Sequence, residues 1–168
     1  LAPEAGNSAS GQSIADYDRR LARAVVSDLD AHGIAASISD AGEPVQGARL
    51  TLRLNHHAIP ALWIQAGHAK AFFGFAVGLT ATNPDMATTV TCARLLGTAM
   101  RQAGELPSLY RSLKMPGLDH PLVDEALGIH QLKGPNPLAG RAGAALTLEV
   151  GIVSHPDDTL RLANPVVV

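Results

Sequence analysis

Glu149 stands inside the run Ala144-Ala-Leu-Thr-Leu-Glu-Val-Gly-Ile-Val153, and no other feature limits the fold of this chain so sharply. Aliphatic and β-branched residues, the shortness of the run and Gly151 after Val150 predict a buried strand rather than a helix. A carboxylate in such a strand is costly unless a cation, a proton or hydrogen bonds compensate it. At the carboxyl end of a parallel strand, where open α/β sheets place their ligands, Glu149 is a candidate catalytic group. The plain alternative is a glutamate at the exposed end of the strand, salt-bridged or solvated.

A chain of 168 residues, nearly half of them apolar, supplies one hydrophobic core and is short for two. The net charge of −2 and the scattered Lys and Arg leave no nucleic-acid footprint. No apolar stretch has membrane-spanning length, and the opening Leu1-Ala2-Pro3 lacks the charged-then-apolar build of a signal peptide, as expected of a processed or trimmed terminus. A lone Cys92 excludes an internal disulfide framework and an all-cysteine metal site.

Residues 1–13, rich in Gly, Ser, Ala and Pro, read as loop. From Asp16 to His32 the apolar positions follow helical spacing, and Gly33 supplies the stop. Ile34 to Ile38 is expected to be a short strand, and Ala48 to His57 a helix closed by Pro60. Ala61 to Ala66 reads as a buried strand ending at Gly67-His68, and the alternation of Phe73, Phe75, Val77 and Leu79 predicts another strand, placed at an edge. Asn83-Pro84-Asp85 starts a helix over Met86 to Ala103. Residues 105–143 are loop-rich with a helical piece near Leu122 to Leu127. After the Glu149 strand come a turn at His155-Pro156 and a short helix through Leu162. Alternating strands and helices of these lengths predict a three-layer α/β domain with a mostly parallel or mixed central sheet, spanning residues 1–168 as one unit.

No phosphate-cradling Gly-rich loop, Cys-x-x-Cys pair, His-Glu-x-x-His or Gly-x-Ser-x-Gly elbow is present. Of the seven histidines, His32 closes a surface helix, His56 and His57 are assigned to a helix end, and His120, His130 and His155 to loops. His68 differs, because it follows an apolar strand and a glycine, a second place where the sheet presents a group to a ligand. One imidazole and one carboxylate from neighbouring strand ends are usual parts of a hydrolytic zinc site. Asp16 and Asp18 flank Tyr17 in a first helical turn, where acidic residues complement the helix dipole.

Several segments together resemble the zinc-dependent N-acetylmuramoyl-L-alanine amidases, hydrolases of peptidoglycan with an α/β fold. Leu148-Glu-Val-Gly-Ile-Val-Ser-His-Pro-Asp-Asp158 resembles the signature in which the glutamate is the catalytic carboxylate. Asp16-Tyr17-Asp18 resembles a helix start at which the family has Glu-x-Asp, so Asp16 takes the place of a zinc-binding glutamate. Arg53 and Asn55 match the family's helix before its second ligand strand, and Ala61-Leu-Trp-Ile-Gln-Ala-Gly-His-Ala69 resembles the segment that supplies a zinc histidine. Gly104 to Leu109 and Leu122 to Ile129 resemble a connecting region of one subgroup. The likeness covers nearly the whole chain, in collinear order.

The departures lie at the ends and at one register. The resemblance implies a strand with the family's first zinc histidine before Leu1 and a longer final helix after Pro165, neither of which lies within these 168 residues. By strand phase the second zinc histidine falls on Gly67, and a one-residue shift restores it to His68. The resemblance implies a Zn2+ enzyme that cleaves the amide between N-acetylmuramic acid and L-alanine, acting in the periplasm or outside the cell. Glu149 would be the catalytic base, and Asp16 and His68 metal ligands. A catalytically degenerate relative that binds peptidoglycan without cutting it is the alternative.

Overall fold

Leu50, Leu52 and Leu54 alternate with Thr51, Arg53 and Asn55, a period of two that a strand satisfies and a helix does not. The computed structural model describes residues 14–39, 47–57, 72–114 and 119–162, and in it this segment is the strand β1 (Leu50–His57). The expected helix over Ala48 to His57 is therefore corrected: the alternating leucines pair with another strand and outweigh the stop signal of Pro60. β1 runs parallel to β5 (Ala144–Ile152), the strand of Glu149, with a register irregularity between Asn55 and His56.

β5 also pairs antiparallel with β2 (Ala76–Thr80), which pairs parallel with β4 (Ile129–Leu132); β3 (Leu122–Asp124) adds antiparallel to β4. Among the described residues the result is a five-stranded mixed sheet of order β1-β5-β2-β4-β3. β2 is thus interior and buried at every residue, not the expected edge strand. The helical piece expected near Leu122 to Leu127 is instead β3 and a turn into β4. Gly128, at φ +61, takes a left-handed conformation there, and a Cβ would lie 3.0 Å from that of Pro107. The strand expected at Ile34 to Ile38 does not form, and Ile34 and Ile38 stay exposed, with no strand paired to them among the described residues. The segment Ala61 to His68 lies outside the described residues.

Three helices complete the described α/β fold: α1 (Ile14–Ala31), α2 (Met86–Gln102) and α3 (Pro156–Leu162), close to the positions their spacing and caps predict. Asp85 caps α2 by accepting from the Thr88 N–H at 3.3 Å. Alternate residues of β5 (Leu146, Leu148 and Val150) enter one core with Val77 and Leu79 of β2, Tyr17 of α1 and Ala93 of α2. Each large aliphatic side chain fully removed from water there contributes about 1.5–3 kcal/mol. The intervening residues Thr147 and Glu149 point the other way, as strand alternation requires. That packing fixes the register of β5 and hence the place of Glu149.

Candidate active site

Parallel pairing makes β1 and β5 end on the same side of the sheet. Asn55 is the register partner of Glu149 across β1, and Ala76, the first residue of β2, is its partner on the other side. Glu149 is 5% exposed, so its carboxylate must be compensated by the protein. Tyr110 Oη donates to Oε2 at 2.6 Å. Arg111 donates from Nε to the same oxygen at 3.1 Å and from Nη2 to Oε1, a two-pronged fork on one carboxylate. Both donors come from a single 3-10 turn, Tyr110–Ser112.

The electrostatics follow from this geometry. Burial alone would push the Glu149 carboxyl up, but the charge and hydrogen bonds of Arg111, with His57 and Tyr110, outweigh it and hold the group below its ordinary value. Tyr110 is pushed well up by burial and by the Glu149 charge, so its hydroxyl keeps its proton and remains a donor. His57, at the end of β1, lies with its ring 5.6 Å from that of Tyr110. Burial lowers its pKa, Glu149 opposes that, and Arg111 and Arg53 add to the lowering. His120 and His130 are likewise lowered, chiefly by burial. His130 donates from Nε2 to the Ser108 carbonyl at 3.2 Å, and its buried Nδ1 has no hydrogen-bond partner among the described residues. Glu149 and Arg111 are therefore a charged pair among imidazoles biased toward their neutral form.

A second carboxylate–imidazole contact joins α1 to β1. Asp18 Oδ1 accepts from the His56 backbone N–H at 2.8 Å and from its Nδ1 at 2.7 Å, and the His56 ring lies 5.4 Å from that of Tyr17. Asp16, two residues before Asp18, points elsewhere on the helix: its side chain is 58% exposed and pairs with Arg19 at 3.6 Å. His68 lies outside the described residues. Among the described residues, no three His, Cys, Asp or Glu side chains converge on one point as a metal site requires.

The structure thus brings Glu149 together with three residues that sequence reasoning misses, His57, Tyr110 and Arg111. His57 is hidden by the helical reading of its segment, although the alternation from Leu50 to Asn55 carries the signal for a strand end. Tyr110 and Arg111 are 39 and 38 positions from Glu149, and no local pattern marks them.

Around the site, α3 is tied to the sheet by Asp158, which is fully buried and accepts at Oδ2 from the backbone N–H groups of Ile152 (2.8 Å) and Gly74 (3.2 Å). Its other oxygen accepts from Arg161, which also reaches Glu105 at 2.7 Å and the Val150 carbonyl at 2.6 Å. This network anchors the exit of β5, the strand of Glu149, and the entry to β2 beside it.

No family model and no curated relative matches the sequence. Solved structures do resemble the fold. The apo form of the N-acetylmuramyl-L-alanine amidase Ami1 from Mycobacterium abscessus superposes with a TM-score of 0.66 at 13% identity, over 95% of this chain and 73% of that one. Ami1 from Mycobacterium smegmatis gives 0.60 at 16%, over 95% and 72%. The amidase AmiC2 of Nostoc punctiforme gives 0.57 at 12%, over 96% and 79%. At these identities the likeness is one of fold, and the chain has the α/β fold seen in these amidases.

Proposed function

We propose that this chain is a peptidoglycan amidase domain, a hydrolase of the amide bond between N-acetylmuramic acid and L-alanine, with Glu149 as its catalytic carboxylate. The observation that carries the reading is a buried, ionised glutamate at the shared end of two parallel strands, in a fold like that of solved amidases. Glu149 takes the proton of the attacking water and hands it to the leaving amine of L-alanine. Tyr110 keeps the carboxylate oriented through both transfers.

Zinc is the cofactor that this reading implies, and when bound it polarises the scissile carbonyl and lowers the pKa of water. The Asp16 carboxylate is accessible and, with the His68 imidazole, belongs to the donor classes zinc takes. A full ligand set would draw on residues outside the described ones. A peptidoglycan substrate implies action in the periplasm or outside the cell.

The test is release of peptide from muropeptides by the zinc-supplied chain and by Glu149→Gln. Zinc content near one per chain, release by the parent, and a variant that keeps the metal but releases nothing are expected. Release at the parent rate by Glu149→Gln would remove the base role.

One observation favours a second reading, a domain that binds peptidoglycan without cutting it: the Arg111 fork engages both oxygens of Glu149. A folded, zinc-supplied sample that holds no metal and binds muropeptide without releasing peptide would establish that reading in place of the first.

A further inference from the structure

We propose that Arg111 is the anion-recognition residue of this site, and that its guanidinium leaves Glu149 for a carboxylate on the bound ligand. The proposal rests on the hydrolase reading above and adds to it a class of ligand, a muramoyl amino acid or peptide that carries a free carboxylate on its peptide side, and a means of switching the site on.

The closed pair explains why such a step is needed. A carboxylate offers about four acceptor positions, and three on Glu149 are taken, two by Arg111 and one by Tyr110. In that state the carboxylate is committed to the guanidinium and is a poor acceptor for a proton from water. Departure of the fork frees Oε1 altogether, while the Tyr110 bond to Oε2 remains and keeps the group in place.

The parts are arranged for the side chain to move and the backbone to stay. The turn is fixed by the Ser112 N–H on the Leu109 carbonyl (3.0 Å), the Leu113 N–H on Tyr110 (3.2 Å) and the His120 N–H on Arg111 itself (2.8 Å). Beyond that backbone Arg111 has a long flexible stem, and its side chain is 16% exposed against 6% for Glu149, so Arg111 is the more accessible member of the pair. A buried guanidinium does not leave one carboxylate for nothing, because both charges would be stranded. It leaves for another carboxylate, which matches the same planar fork with two hydrogen bonds. A neutral ligand offers no such exchange and leaves the pair closed.

The experiment compares N-acetylmuramoyl-L-alanine with its C-terminal carboxamide on the whole chain. Calorimetric titration should give the acid at least about a tenfold tighter affinity than the amide. In arginine-labelled protein, the Arg111 Nε–H signal should shift on saturation with the acid and stay in place with the amide. Arg111→Lys, which keeps the charge but loses the fork, should cut the preference to less than about threefold. Equal affinities for acid and amide, or an Arg111 signal unmoved by the saturating acid, would overturn the proposal. Both titrations use the parent protein, so they decide even where the lysine variant does not fold. A clear acid preference without any peptide release overturns the hydrolase reading alone, and release without that preference overturns this one alone. Binding of neither ligand counts against both.

Discussion

Asp18 of α1 holds His56 of β1 twice through one oxygen, accepting from the backbone N–H at 2.8 Å and from the ring Nδ1 at 2.7 Å. This is a helix-to-strand pin, made where the register between β1 and β5 shifts from Asn55 to His56. Asp18→Ala should cost about 1–3 kcal/mol of stability by urea denaturation, the range for leaving buried donors unpaired. Asp18→Asn, whose amide oxygen still accepts, should cost less. Parent stability in the alanine variant would show that the pin carries no load.

Asp158 serves α3 and the sheet at once, and its replacement should be among the most damaging in the chain. Asp158→Ala leaves two buried backbone donors unpaired and takes from Arg161 one of its two carboxylate partners, and the expected loss is about 1–3 kcal/mol for each stranded donor. The measurement is again the urea midpoint, with an amide-exchange map to show protection lost first at Gly74 and Ile152. A loss confined to α3 with the sheet untouched would contradict the bridging role.

Gly74 sits at φ +102, and a Cβ there would lie 2.1 Å from the Leu106 carbonyl oxygen. Gly74→Ala meets rigid backbone and an unfavourable dihedral together, so a loss of about 2 kcal/mol or more is expected. Gly104, also at positive φ but with nothing within 4 Å of its Cβ position, is the matched control. Gly104→Ala should cost distinctly less. Equal losses would mean that the close approach of Leu106 adds nothing to the dihedral strain.

Acid should weaken the fold in two separable windows. His57, His120 and His130 have folded pKa values below their ordinary value, so the unfolded chain binds protons first. Stability is whole above about pH 6.5, the unfolded value, and falls as pH drops through it toward the folded values. Glu149 is also lowered, and its contribution, present above the unfolded value of about 4.3, is lost as pH falls through the folded one. Denaturation midpoints from neutral to acid should show both limbs. His57→Gln should flatten the first, and Glu149→Gln should abolish part of the second. A profile flat through the histidine window would contradict the neutral imidazoles.

How far the sequence reaches is seen by comparing β5 with β1. β5 announces itself by an unbroken apolar run, and the cost of a carboxylate in that run singles out Glu149 from residue order alone. α2 carries the Asp85 cap that its sequence announces, and Gly33, at positive φ, ends α1. β1 is half-buried along most of its length, so its polar positions dilute the pattern, and a downstream proline imitates a helix end. β3 is only three residues long, below the length at which periodicity can be read. The partners of Glu149 are hidden for a different reason. Tyr110 and Arg111 reach it because the bridge between Phe75 and Pro107 lays their turn beside the sheet, a long-range pairing that no local spacing encodes.

The mixed direction of the sheet has a consequence for how Glu149 can be moved. The chain leaves β1 at His57, and Phe72 to Phe75 lead it back into β2, whose first residue is the partner of Glu149. Both anchor points of residues 58–71 therefore flank the same carboxylate, while the ladder that holds them is set by β5 and the core beneath it. His57 and Ala76 belong to backbones that hold β5 between them, so Glu149 can be repositioned only by moving two ladders at once.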